Sequence, residues 1–382
     1  IASCLVGSEM CIRDRYDTDE DVYTVQLTVD VLGPLDANVL REAARTVIAR
    51  HAALRSGFIQ EVLPTPVAFM PPELDVPWRE IEVVGSEEAE AIIAAEKAAP
   101  FDLSKPPLVR FLLVRHAPDK ATFVMTNHHI LFDGWSMPIV VGDLLRAYSG
   151  VKLPPSIGAE GYHQWKAEQD HEASRVAWAR VLDGVEGATL LAGPVPSETT
   201  PVHERIEVVL AAKTTGSLRE IGRRLGVTLN TLVQACWGLL LTCMTGRRDV
   251  VFGATTSGRP GELAGVESMV GLFINTLPVR VHFEPEDTLE DVLVRLQRQQ
   301  AELLDHQSLS LTEVQDIVGA GELFDTITVF ENYPLDAEQE LPGGVRLVNP
   351  RVDDATHYPM ALVAMPGEQL SLSFIHRTDV ID

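Results

Sequence analysis

The sequence predicts a mixed α/β protein, an α+β sandwich built as two lobes. Three observations carry that reading. Amphipathic helical stretches alternate with strand-like stretches along the whole chain. The run of strand, helices and strands occurs once in each half. Between the halves, VEGATLLAGPVPSETTP (residues 185–201) is rich in Gly, Pro, Ser and Thr and reads as a linker. A length of 382 residues agrees with two domains. The predicted ranges are 16–170 for the first lobe, 171–200 for the connection and 201–382 for the second lobe.

In the first half, Tyr23, Val25, Leu27, Val29 and Val31 alternate with polar residues and predict a half-buried strand. Gly33-Pro34 turns the chain, and Asp36 caps a helix whose apolar face is Val39, Leu40, Ala43, Ala44, Val47 and Ile48. Strands are expected at 67–70 and 80–84, and a helix over 86–98. A strand pair at 108–114 and 122–126 leads to the run NHHILFDGWS (127–136). Ser136 is the expected cap of a helix that carries Pro138 in its first turn and ends near Tyr148. One helical stretch is expected over 162–182.

In the second half, a strand near 205–211 precedes helices over 215–225 and 228–244, the latter capped by Thr228. DVVFGAT (249–255) is a buried strand, and SGRPGELAG (257–265) a Gly/Pro loop. VGLFINTLPVRV (270–281) is an apolar strand pair or one bent strand. A long amphipathic helix covers 289–305. Strands follow at 326–330, 346–348 and 370–375.

Composition narrows the partners. The formal charge is −24, from 55 acidic and 31 basic residues. Nucleic acid and anionic membrane both need basic surface, so neither is expected. The longest apolar run, residues 235–244, is about half of the roughly 20 residues that a membrane span needs. The four cysteines, Cys4, Cys11, Cys236 and Cys243, fit neither a disulfide framework nor a zinc site. Cys236 and Cys243 read as buried packing residues of a helix. A reducing, cytoplasmic setting is the expectation. Residues 4–15, CLVGSEMCIRDR, show neither periodicity and resemble a translated sequencing adapter, so 1–15 is set aside as non-native.

The run NHHILFDGWS carries the chemistry. Two imidazoles, His128 and His129, sit at a strand end, with Asp133 four residues past the second and Gly134 after it. A neutral imidazole is the natural general base near neutral pH. A nearby carboxylate either fixes a histidine tautomer or anchors the loop, and a glycine lets backbone approach a substrate. Adjacent residues of a strand face opposite ways, so the pair does not suit one metal ion, and no partner motif for a metal occurs.

An ordered series of motifs extends this run. ARHAALRSGF (49–58), NHHILFDGWS, GYHQW (161–165), VGLFINTLPVR (270–280), HQSLSLTEVQ (306–315) and LFDTITVFENYP (323–334) resemble, in order, motifs of the condensation domains of nonribosomal peptide synthetases, within the chloramphenicol-acetyltransferase-like superfamily. The resemblance covers about residues 16–382. The first family motif is missing, and the chain stops at HRTDVID where family members continue, so it resembles a fragment truncated at both ends.

The resemblance implies two acetyltransferase-like lobes arranged as a V with a central tunnel holding His129. It implies amide-bond formation. The acceptor α-amine attacks a donor thioester, both substrates being carried as 4'-phosphopantetheine thioesters on upstream and downstream peptidyl carrier domains, with an adenylation domain adjacent. No bound cofactor or metal is expected. His129 is implied as general base or as the group that positions the amine; His128 is structural. Asp133 is implied to pair with Arg55, the second arginine of R-H-x-x-L-R, as architecture. Gly134 either presents backbone to the reacting centre or serves the turn. Trp135, Ser136 and Asn275 are tunnel candidates, Asn275 either orienting substrate or tying two strands. Arg50, His51 and Arg280 read as structural. The alternatives are an epimerisation domain, a non-catalytic recruitment domain and a free-standing acyl-coenzyme-A-dependent acyltransferase. Within condensation, 257–281 and 324–334 resemble the subtype that takes a D-configured donor.

Overall fold

The structure is a computed structural model that describes residues 23–59, 67–192, 203–319, 321–331, 338–354 and 356–381. The segment 1–15, residues 193–200 of the predicted connection and the end of the FENYP motif lie outside the described residues. The chain forms two compact units. In order, its elements are β1 (Thr24–Leu32), α1 (Ala37–Arg50), β2 (Gly57–Ile59), β3 (Val67–Phe69), β4 (Trp78–Glu82), α2 (Ser86–Ala98), β5 (Val109–Ala117), β6 (Lys120–His128), α3 (Ser136–Tyr148), α4 (Glu160–Ala167) and α5 (His171–Leu182). Then come β7 (His203–Val209), α6 (Ala212–Leu225), α7 (Leu229–Thr245), β8 (Asp249–Thr256), β9 (Asn275–His282), α8 (Leu289–Glu302), α9 (Leu311–Val318), β10 (Thr326–Phe330), β11 (Glu338–Leu341), β12 (Val345–Asp353), β13 (Met360–Met365) and β14 (Ser371–Arg377).

The first unit comprises the described chain up to Ala167, the segment Arg259–Phe273 and residues 338–354. Its sheet runs β11-β12-β1-β6-β5-β4. β1 was expected to be half-buried; it is covered on both faces. Val25, Leu27, Val29 and Val31 enter a core with Leu40, Ala44, Val47 and Leu144 of α1 and α3. On the other face, under α2, Gln26 Nε2 donates to Ile93 O and Thr126 Oγ1, both at 3.1 Å. Those bonds are what a buried amide requires. Asp36 caps α1 by accepting from the backbone N–H groups of Asn38 and Val39. β5 and β6 form an antiparallel pair whose second strand ends at His128.

The second unit comprises 168–258, 274–331 and 356–381 among described residues, with sheet order β7-β14-β13-β10-β8-β9. β8 pairs in parallel with β10 and antiparallel with β9. Its residues are buried on both faces. Val250, Phe252 and Ala254 meet Trp237 and Leu241 of α7, while Val251 meets Trp178, Leu309 and Ile327. That double burial is why β8 reads as a continuous apolar run. Gly253 is required there, since a Cβ would lie 2.5 Å from the Phe324 ring. Pro278 is tolerated because β9 is an edge strand.

Several expectations change. The second lobe does not begin once and run on: residues 259–273 and 338–354 belong to the first unit, and 171–182 is α5 of the second unit rather than linker. The stretch 162–182 is two helices, broken at 168–170, where Asp170 starts α5 by accepting from Ala173 N. Residues 270–274 are not strand; β9 starts at Asn275. Cys236 and Cys243 are exposed, not buried. α7 is apolar on most of its circumference, so spacing alone does not say which stripe faces inward; Leu232, Ala235, Trp237 and Leu241 take that place.

Candidate active site

β6 delivers the histidine pair, and backbone bonds fix its end. His128 N donates to Leu108 O (2.9 Å) and His129 N to Tyr23 O (2.7 Å). A short 3-10 turn, His129–Leu131, follows. The two rings then part, as alternation requires. His128 is buried, and its Nδ1 accepts from Ile130 N at 3.1 Å, which caps the turn and leaves the ring proton on Nε2. Tyr23 and Phe101 lie beside it, with ring centroids at 6.0 and 6.3 Å. His129 is only half-buried. Of the two imidazoles it is the one a substrate can meet.

Asp133 is an anchor. Its side chain is fully buried. Oδ1 accepts from Ser136 N at 2.9 Å and from Arg259 Nη2 at 3.1 Å, and Oδ2 accepts from Phe273 N at 2.9 Å. Ser136 Oγ lies 2.8 Å from Asp133 Oδ1 and 3.0 Å from Gly271 O, and accepts from Arg259 Nη2 and Gly271 N. Ser136 was expected to cap α3. It stands inside the first turn instead, and the carboxylate of Asp133 takes up its N–H. A fully buried carboxylate that holds these donors is committed to structure and exposes no oxygen to a reacting proton.

The expected Arg55–Asp133 pair is corrected by the structure: Asp133 pairs with Arg259. Arg55 Nη1 donates to the carbonyls of Pro71 and Pro72, both at 3.1 Å. Arg259 comes from the Gly/Pro loop, and its side chain is only 3% exposed. Its Nη1 donates to Val266 O (2.6 Å) and Met269 O (2.9 Å), and its guanidinium carbon lies 4.4 Å from the Phe273 ring centroid and 5.7 Å from that of Trp135. Burial pulls its pKa down and Asp133 pulls it back up. A guanidinium stays cationic under such opposing influences. The planar fork explains why arginine is used, since it bonds two carbonyls and one carboxylate in one plane. Sequence reasoning missed this residue. The only signal was a lone cation between Gly258 and Pro260 in a Gly/Pro loop.

The other singled-out residues are placed as follows. Trp135 is half-buried, and its Nε1 donates to Glu267 O at 3.1 Å. Gly134 is half-buried beside it. Arg50 Nε and His51 Nε2 both meet Asp143 Oδ2 at 2.8 Å, tying α1 to α3. Burial would raise the Asp143 carboxyl, but the bonds from His51 and Arg50 hold it below its ordinary value. Tyr162 and Trp165 of α4 pack with Phe273 and Met269. In the second unit, Asn275 Nδ2 donates to Gln307 O (3.0 Å) and Leu309 O (2.6 Å), so its amide ties β9 to the turn before α9. Arg280 holds Asp249 with two bonds, at 2.9 and 2.7 Å.

Comparison with known proteins identifies the family. The family model for the condensation domain matches residues 9–381. The match starts inside the segment set aside as non-native. A linear gramicidin synthase polypeptide of Brevibacillus parabrevis is 35% identical over 95% of this chain, and chondramide synthase cmdD of Chondromyces crocatus 36% identical over 94%. The chain spans only 5% and 10% of the lengths of those two relatives. The solved starter condensation domain of rhizomide synthetase superposes with a TM-score of 0.82 at 20% identity, covering 100% of this chain and 90% of that one. At that identity the likeness concerns the fold.

Proposed function

The chain belongs to the condensation-domain family, and from that premise we propose that it forms an amide bond between a donor aminoacyl or peptidyl thioester and the α-amine of an acceptor aminoacyl thioester. One observation carries the assignment to this site: His129 is half-buried on a loop that is anchored by a fully buried carboxylate. In the reaction the amine nitrogen attacks the thioester carbon. The tetrahedral oxyanion collapses, the C–S bond breaks, and the amine proton leaves as the thiolate gains one. His129 takes the amine proton or, as hydrogen-bond acceptor, orients the amine. Fixed placement of the nucleophile is itself worth several kcal/mol of the barrier. Asp133, Arg259 and Ser136 act on the chemistry only through the loop.

The reading brings in 4'-phosphopantetheine arms of an upstream donor and a downstream acceptor carrier domain, an adjacent adenylation domain and a cytoplasmic setting. The resemblance of 257–281 and 324–334 supports a D-configured donor. The test supplies two loaded carrier domains to the parent and to His129→Ala. A loss of about 10²–10⁴-fold in amide product marks a base, and a smaller loss marks positioning. Equal product from both proteins removes His129 from the mechanism. An inverted α-carbon without a new amide would show an epimerase.

A further inference from the structure

Two residues before His129, Asn127 is 1% exposed, and neither its Nδ2 nor its Oδ1 has a hydrogen-bond partner among the described residues. Its cross-strand neighbours on β1 and β5 are Val25 and Val109, both buried and unable to bond an amide. The face it shares with Ala121, Phe123 and Met125 is otherwise apolar. A leucine or methionine would fill such a place with no polar group to satisfy, so a bare carboxamide there costs stability. Backbone extension continues through His128 (φ −78°, ψ 131°), so His129 emerges on the same side of the strand as Asn127. The apolar face therefore ends in two polar groups, a closed-in carboxamide and then a half-open imidazole.

We propose that Asn127 is a substrate-positioning residue whose carboxamide binds a secondary amide of the acyl-thioester substrate. This rests on the condensation reading of the same site. An amide is the complementary ligand because Asn127 has both a donor and an acceptor to satisfy. The spacing suits it. Same-face positions are about 7 Å apart along a strand, and the next peptide unit of a donor lies about 3.8 Å from the reacting one. A thioester carbonyl near His129 thus brings a neighbouring amide within reach of Asn127. The amide belongs either to the donor peptide or to the carrier arm.

The experiment compares the parent with Asn127→Leu and Asn127→Met. Four donors are used: aminoacyl and N-acylated dipeptidyl thioesters, each on a loaded carrier domain and on ethanethiol, which has no amide. Loss of one such bond is worth about tenfold. A tenfold fall in kcat/KM for both dipeptidyl donors alone assigns the peptide amide. The same fall for both carrier-borne donors alone assigns the arm. Folding midpoints at or above the parent's are expected for both variants. Equal rates with all four donors, an equal fall with all four, or unfolding of both variants would overturn the proposal. If the parent itself makes no amide, the condensation reading fails instead.

Discussion

At the scale of single residues, the fully buried pair decides most. Removing one partner strands a charge, which costs about 3–5 kcal/mol, so Asp133→Ala and Arg259→Met should each lose that much in chemical denaturation. The double variant Asp133→Leu/Arg259→Met should lose less than the two losses added together, because no lone charge remains. Arg259→Lys should lose less than Arg259→Met but still fall short of the parent, since an ammonium keeps a cation for Asp133 and cannot reproduce the fork to Asp133, Val266 and Met269. Arg55→Ala supplies the contrast. Among the described residues, Arg55 is half-buried and donates only to carbonyls, so about 1 kcal/mol is expected. Equal losses at Arg55 and Arg259 would restore the pairing that the motif order implied. The motif HHxxxDG was legible as a site because its residue types and spacing are local. The partner of its aspartate was not, because it lies 126 positions away in a loop with no periodicity.

At the scale of elements, ends were more legible than faces. Asp36 and Thr228 were readable as caps, and both accept first-turn N–H groups. Ser310 closes a capping box with Glu313 at the start of α9, a helix that was legible only as part of a motif. Ser310→Ala should cost about 1 kcal/mol, read as a shift in the denaturation midpoint. Faces failed where a helix is apolar all round. α7 offers more apolar positions than its unit can cover, and its cysteines fall on the outside. A thiol titration of the folded protein should therefore lose two equivalents when Cys236→Ser and Cys243→Ser are combined. A loss that appears only after unfolding would return those thiols to the interior. The break between α4 and α5 had no proline or glycine to announce it, and only Asp170 at the new N-terminus marks it.

At the scale of the whole molecule, the response to acid draws on groups in each unit. Burial lowers the pKa of His357 to about 4 from an ordinary 6.5, and burial also lowers that of His163 against the opposing charge of Glu160. The unfolded chain takes those protons first, so this stability is full above pH 6.5 and is lost as pH falls from there towards 4. Asp143, held below its ordinary 3.8, contributes fully above that value and is lost as pH falls through its folded pKa. Asp325, raised by burial, works oppositely over its own window and gains as pH falls. Urea midpoints against pH should thus decline in two stages, and His357→Gln should flatten the first; superimposed curves would refute its part in it. By itself the sequence determined most of the element types, the two-part organisation, the family and the histidine loop, because alternation, helical spacing, caps and short motifs act between near neighbours. Only the tertiary structure decided which segments complete each unit, which arginine neutralises Asp133 and which cysteine face meets water. Those outcomes depend on competition between distant parts of the chain for the same buried space, and a linear pattern does not record who wins it.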